Sequence, residues 1–182
     1  MKILTFVEGY KDSIFIESLL ANTVKKRGDQ LITNEYAEKK PNGTNAYLKT
    51  LKEHGTEMDI SYIFLADLDP SKFTCNTHRK RNLCVNYKFL LEKRTVIVHP
   101  MIEGWYISGI SKTNCKKLRI PYVENLNKID KDYFKTKIAK QRYSIDFYLD
   151  LLKFFSIEEA KHRSESFNYF IEKLYSLLDI KL

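Results

Sequence analysis

The sequence predicts an α/β protein: a three-layer sheet of about four mostly parallel strands flanked by helices, with a helical C-terminal extension. Three observations carry that prediction. Over residues 2 to 99, short apolar runs bounded by turn residues alternate with segments of helical period. The run "ISYIFLA" is apolar on both faces, as a strand covered on both sides of a parallel sheet requires. Past Met101 the strand pattern stops and helical spacing takes over.

Each element has a local reason. Residues 2 to 7 form a buried strand that breaks off at "VEGY". Asp12 can cap the next helix, in which Ile16, Leu19, Leu20 and Val24 recur at helical spacing, and Gly28 can stop it. "QLITNEY" is a short strand. "PNGT" reads as a turn, with a helix from Thr44 or Asn45 to about His54, ended by Gly55. The central strand runs from Ile60 to Ala66 and is stopped by Pro70. After the basic stretch "SKFTCNTHRKRN", the segment "LCVNYKFLLEKR" is helical in pattern, with Leu83, Tyr87, Leu90 and Leu91 on one side. "RTVIVHP" is the last strand. "MIEGWYISGI" is a short helix or irregular turn. "DKDYFKTKIAKQ", "SIDFYLDLLKFF" and "SESFNYFIEKLYSLL" are helices, and Ser156 with Glu159 fits a capping box between the last two. The organisation expected is a core over residues 1–100 and a helical extension over 101–182 packed on the same domain.

Bulk properties narrow the function classes. Thirty-one Lys and Arg stand against 23 Asp and Glu, a net charge of +8, which favours a polyanionic partner with nucleic acid first. Three cysteines make no disulfide framework, and no run approaches the roughly 18 apolar residues of a membrane span. The expectation is a soluble cytoplasmic protein with no membrane partner.

The acids fall at informative places. Glu8 follows the first strand, Asp67 and Asp69 follow the central strand in "FLADLDP", and Glu103 follows the last strand in "HPMIEGW". Parallel sheets bind ligands along their carboxyl edge. Residues two apart on an extended chain point the same way, so Asp67 and Asp69 can aim at one point. Gathered carboxylates repel one another, and a hard divalent cation, Mg2+ or Mn2+, removes that conflict. The dense basic cluster His78, Arg79, Lys80 and Arg81, with Lys72, lies just after the acid pair and can hold a nucleic-acid backbone. "CKKLR" and "KHR" read as solvated surface, and Trp105 as a core anchor.

"VEGYKD" followed by "FLADLD" resembles the Toprim domain, shared by topoisomerases, bacterial primases, OLD-family nucleases and maturase ribonucleases. The resemblance covers residues 2 to about 100 and implies a Toprim-like, Rossmann-like core. It implies Glu8 as general acid or base, with Asp67 and Asp69 as magnesium ligands. A looser likeness joins "MIEGWYISGI" and "RSESFNYFIEKL" to small stand-alone Toprim-like proteins of the RloB-like kind, some of which accompany ATPases in prokaryotic defence. That analogy brings Glu103 to the metal site and makes Ser164, Ser166 and Phe167 a lid or substrate contact. The chain departs from the family pattern at Pro70 and at Ser71, where longer forms carry a third acid. The function expected is Mg2+-dependent phosphodiester hydrolysis of DNA or RNA. The alternative is a module that binds nucleic acid or an ATPase partner through a degenerate metal site.

Overall fold

A computed structural model describes residues 1–26, 28–37 and 41–178. The chain divides into two compact units, Met1–Ile97 and Val98–Leu182.

The strands are β1 (Lys2–Val7), β2 (Gln30–Glu35), β3 (Ile60–Asp67) and β4 (Thr95–Val98). They form one parallel sheet in the order β2-β1-β3-β4. In β1, Lys2 pairs with Gln30 on one side and Ile60 on the other, and the register holds through Phe6. The central positions of β1 and β3 explain their mostly apolar character, in which Thr5 is the buried polar exception in β1. From Ile3 and Tyr62 onward both are buried at every residue, while edge strand β2 is only partly covered.

Alternation along the strands sorts residues to two faces. On one face Leu4, Phe6, Tyr62, Phe64 and Ala66 join Leu48 and Leu51 of α2 (Pro41–His54) and Leu83 of α3 (Asn76–Asn86) in a single core. Rings dominate it: Phe6 stacks on Phe64 at 5.7 Å and Tyr36 meets Phe64 at 4.3 Å. Helix α1 (Tyr10–Lys26) packs on β1 and β2 and buries Phe15, Ile16, Leu20 and Val24. Gly28 follows α1 with φ +77°, a conformation that glycine adopts without strain.

Two boundaries differ from the sequence reading. The "PNGT" segment opens α2 rather than preceding it, because Pro41 takes the first helical position, where its missing N–H is not needed. The basic stretch is itself helical: α3 begins at Asn76, seven residues before the Leu83 start that the apolar pattern suggested, and ends at Asn86. Tyr87 and Leu90 are buried from the turn that follows, and a 3-10 turn (Glu92–Arg94) leads into β4.

The second unit contains α4 (Ile102–Ser108), α5 (Lys112–Leu118), α6 (Lys131–Tyr133), α7 (Ile145–Lys153), α8 (Ile157–Arg163) and α9 (Glu165–Leu177). Helix α4 is buried at all of its residues. Trp105 stacks on Phe170 at 5.2 Å and gives its indole N–H to Ser166 Oγ at 2.8 Å, so it is the core anchor expected. Ser166 also accepts the His99 N–H at 3.1 Å, Ser164 caps α9 through the Phe167 N–H, and Phe167 is fully buried. Those contacts make this trio internal scaffolding of the unit. Ser156 caps α8 from the Glu159 N–H, as the capping box predicted. The "DKDYFKTKIAKQ" segment is not one helix: α6 passes into a π-helical stretch (Phe134–Ala139) and then a 3-10 turn. Among the described residues, no helix is long and apolar enough to cross a membrane.

Candidate functional site

The carboxyl ends of β1 and β3 lie side by side because the two strands pair in register. Glu8 leaves the end of β1 and Asp67 closes β3, and Glu8 Oε1 sits 3.2 Å from the Asp67 N–H, which it accepts across 59 residues of sequence. The same oxygen accepts from Arg79 Nη2 at 2.9 Å and from the Tyr36 hydroxyl at 3.3 Å. Three donors therefore fix one oxygen of Glu8. Oε2 accepts no hydrogen bond among the described residues, and the side chain is 27% exposed. The carboxylate is thus both held and presented.

Arg79 reaches this edge from the first turns of α3. Its Nε donates to the Asp67 carbonyl at 2.9 Å, and its guanidinium lies 4.7 Å from the Phe73 ring centre. The planar fork suits this double attachment, one arm on a carboxylate and one on a backbone carbonyl. Tyr36 stands just past β2 and is buried, and its single hydroxyl proton is shared between Leu65 O at 3.0 Å and Glu8. Burial, and then the Glu8 charge beside it, raise the Tyr36 hydroxyl well above its ordinary value, so it stays a donor.

Asp69 is placed differently from the sequence expectation. The strand ends at Asp67, and Asp69 has φ +50°, so the two-residue alternation does not continue to it. Its carboxylate accepts from Lys72 Nζ at 2.7 Å and Ser71 Oγ at 2.5 Å instead. The Lys72 contact first, then Ser71, hold the Asp69 carboxyl below the ordinary carboxylate range. A depressed folded value means that this contact stabilises above the unfolded pKa and is lost as pH falls through the lower, folded one. A carbon-detected NMR titration is expected to give Asp69 a midpoint below that of a free aspartate, and Lys72→Met is expected to raise it part of the way back, since the Ser71 hydroxyl still donates. An unshifted wild-type midpoint contradicts the contact.

Glu103 belongs to the second unit. Its side chain is fully buried in α4, and its carboxylate accepts from the Tyr148 hydroxyl at 3.3 Å. Burial, followed by the Glu103 charge, pushes the Tyr148 hydroxyl far above its ordinary range.

The basic cluster divides on α3. Arg79 turns inward to Glu8, Lys80 is half-buried, and His78 and Arg81 are exposed, as is Lys72. Arg163, from the "KHR" stretch read as surface, instead bonds four carbonyls of the second unit. Sequence reasoning also missed Tyr36, whose only signal was an aromatic residue closing a strand segment.

The resemblance implies a divalent cation at this edge. Among the described residues, no group of three or more His, Cys, Asp or Glu side chains could hold a metal ion. Glu8 and Asp67 remain as two hard-oxygen residues at neighbouring strand ends, with the Glu8 carboxylate on the Asp67 backbone N–H. Mg2+ binds through one or two carboxylates and completes its shell with water and substrate phosphates, so this pair fits it in number and type. Asp69, as placed, does not contribute. Comparisons with known protein families, with curated proteins and with solved structures found no match.

Proposed function

We propose that the first unit hydrolyses phosphodiester bonds of nucleic acid with Mg2+, for which Mn2+ can substitute, on a Toprim-like core. The observation that carries this reading is the convergence of Glu8 and Asp67. Chain segments 59 residues apart are brought within 3.2 Å, with one Glu8 oxygen fixed and the other left to act. Asp67 would hold the cation beside Glu8, and when bound it supplies charge neutralisation and an acidified water. The chain's own residues do the rest. Glu8 Oε2 can take the proton of the attacking water or return one to the leaving oxygen. Tyr36 and the Asp67 N–H keep that carboxylate oriented. Arg79 has further N–H groups with which to meet a phosphate oxygen. Lys72, His78 and Arg81 add exposed basic groups along the same segment, and Lys80 a half-buried one. Phosphate contacts of this kind position a strand without reading its bases.

One observation favours a second reading. The cation that meets Glu8 is Arg79 itself, and a site neutralised by its own guanidinium can bind phosphate without cutting. The protein would then be a binding module for nucleic acid or for an ATPase partner. The test is a labelled oligonucleotide incubated with the full chain, with Mg2+ and with chelator, and followed both by binding and on a denaturing gel. Hydrolysis predicts product with Mg2+ only, absent in Asp67→Asn. Metal-independent binding without product overturns hydrolysis and leaves the module.

A further inference from the structure

The turn that joins Glu8 to α1 is open to solvent and firmly held. No atom lies within 4 Å of the place a Cβ on Gly9 would take, so another chain can approach the backbone closely there. The next residue, Tyr10, is 59% exposed, more than any other tyrosine among the described residues. The turn beneath it is fixed: Asp12, only 7% exposed, accepts the Gly9 N–H at 2.9 Å, and the Asp12 and Ser13 N–H groups both donate to the Gly9 carbonyl at 3.1 Å. An aromatic ring is thus left in water on a pinned backbone, two residues from the presented oxygen of Glu8. Two residues of chain span at most about 7 Å, so the ring serves the immediate neighbourhood of that carboxylate.

We propose that Tyr10 is a stacking platform for an unpaired base, so that the acid edge takes single-stranded or frayed nucleic acid in preference to closed duplex. The proposal rests on the phosphodiester reading above and names its substrate class. Bases inside a duplex hide both faces in the stack, and only an unpaired base offers a face to a side chain. A base on Tyr10 belongs to the nucleotide at, or next to, the phosphate held near Glu8 and Arg79. The backbone between them crosses the open position at Gly9. Exposed His78 and Arg81 provide the sequence-independent attraction that such a platform accompanies.

Binding of a short oligothymidylate and of a blunt duplex to the full-length chain, measured by fluorescence anisotropy with Ca2+ in place of Mg2+, tests it. Tyr10→Ala is expected to weaken the single strand by roughly 5- to 150-fold. Tyr10→Trp is expected to keep it within about twofold, and duplex affinity is expected to stay unchanged in both variants. The side chain is exposed, so both variants should melt like wild type. Unchanged single-strand affinity in Tyr10→Ala overturns the platform and leaves the phosphodiester reading standing. An equal loss on both strands overturns it too, because the ring would then not select unpaired bases. A wild-type protein that binds neither strand overturns both.

Discussion

Glu8→Gln is expected to lower Mg2+-dependent cleavage by roughly 10²- to 10⁴-fold, the range for losing a positioned proton-transfer group. The substitution isolates the chemistry. Glutamine keeps the shape and one acceptor oxygen, so the hydrogen bonds from the Asp67 N–H and the Tyr36 hydroxyl can persist. It loses the negative charge and the second oxygen, the one that no donor among the described residues occupies. The ion pair with Arg79 is lost as well, but both partners are partly solvated, so the effect on stability is on the order of 1 kcal/mol or less. Single-turnover cleavage should therefore fall while oligonucleotide affinity stays within a few-fold and the melting profile barely moves. Wild-type cleavage by Glu8→Gln contradicts a chemical role for this carboxylate.

The largest stability effect is expected at Arg163. Its Nη1 donates to the carbonyls of Ile107, Ser108 and Ile110 at 3.0 to 3.1 Å, and its Nη2 to Val123 O at 2.6 Å. Its guanidinium also lies 4.4 Å from the Tyr122 ring centre. Ile107 and Ser108 stand in the last turn of α4 and Ile110 just past its end, so the guanidinium braces the carbonyls where that helix stops. A cation there also meets the negative end of the helix dipole. Arg163→Ala removes these bonds together, although Ile107 O keeps the Ile110 N–H and Ile110 O keeps the Cys115 thiol; charge-assisted bonds contribute about 1.5–3 kcal/mol each without adding fully, so a loss of roughly 3 kcal/mol is expected. Arg163→Lys should recover only part of it, because one ammonium cannot fork across the same carbonyls. Trp105 is the single tryptophan and is fully buried, so its fluorescence follows unfolding of this unit in urea. A midpoint shift worth less than about 1 kcal/mol contradicts the bracing role.

The strands were legible because burial on both faces writes an unmistakable apolar run, as in β1 and β3. Helix α3 was misplaced because the only residue it buries is Leu83, while the apolar residues that suggested a later helix, Tyr87 and Leu90, are buried from a turn. At the site, Glu8 and Asp67 could be found because each sits where a buried strand emerges, a position that topology alone brings to one edge. Asp69 could not be placed, since a single left-handed residue after the strand redirects its carboxylate to Lys72. Tyr36 and Arg163 were hidden for opposite reasons. A buried tyrosine looks like any core aromatic until its hydroxyl is traced to Glu8. A basic tripeptide looks like surface until the carbonyls it gathers, from residues 40 to 56 positions away, are seen.

The central claim is that Glu8 and Asp67 form one cation site at the shared edge of β1 and β3. Crystals soaked in Mn2+ and recorded at the manganese absorption edge test it most directly. The account predicts an anomalous peak on the Asp67 carboxylate, within one water of Glu8. Saturating Mn2+ with no peak at that edge, and Arg79 still seated on Glu8, would contradict it.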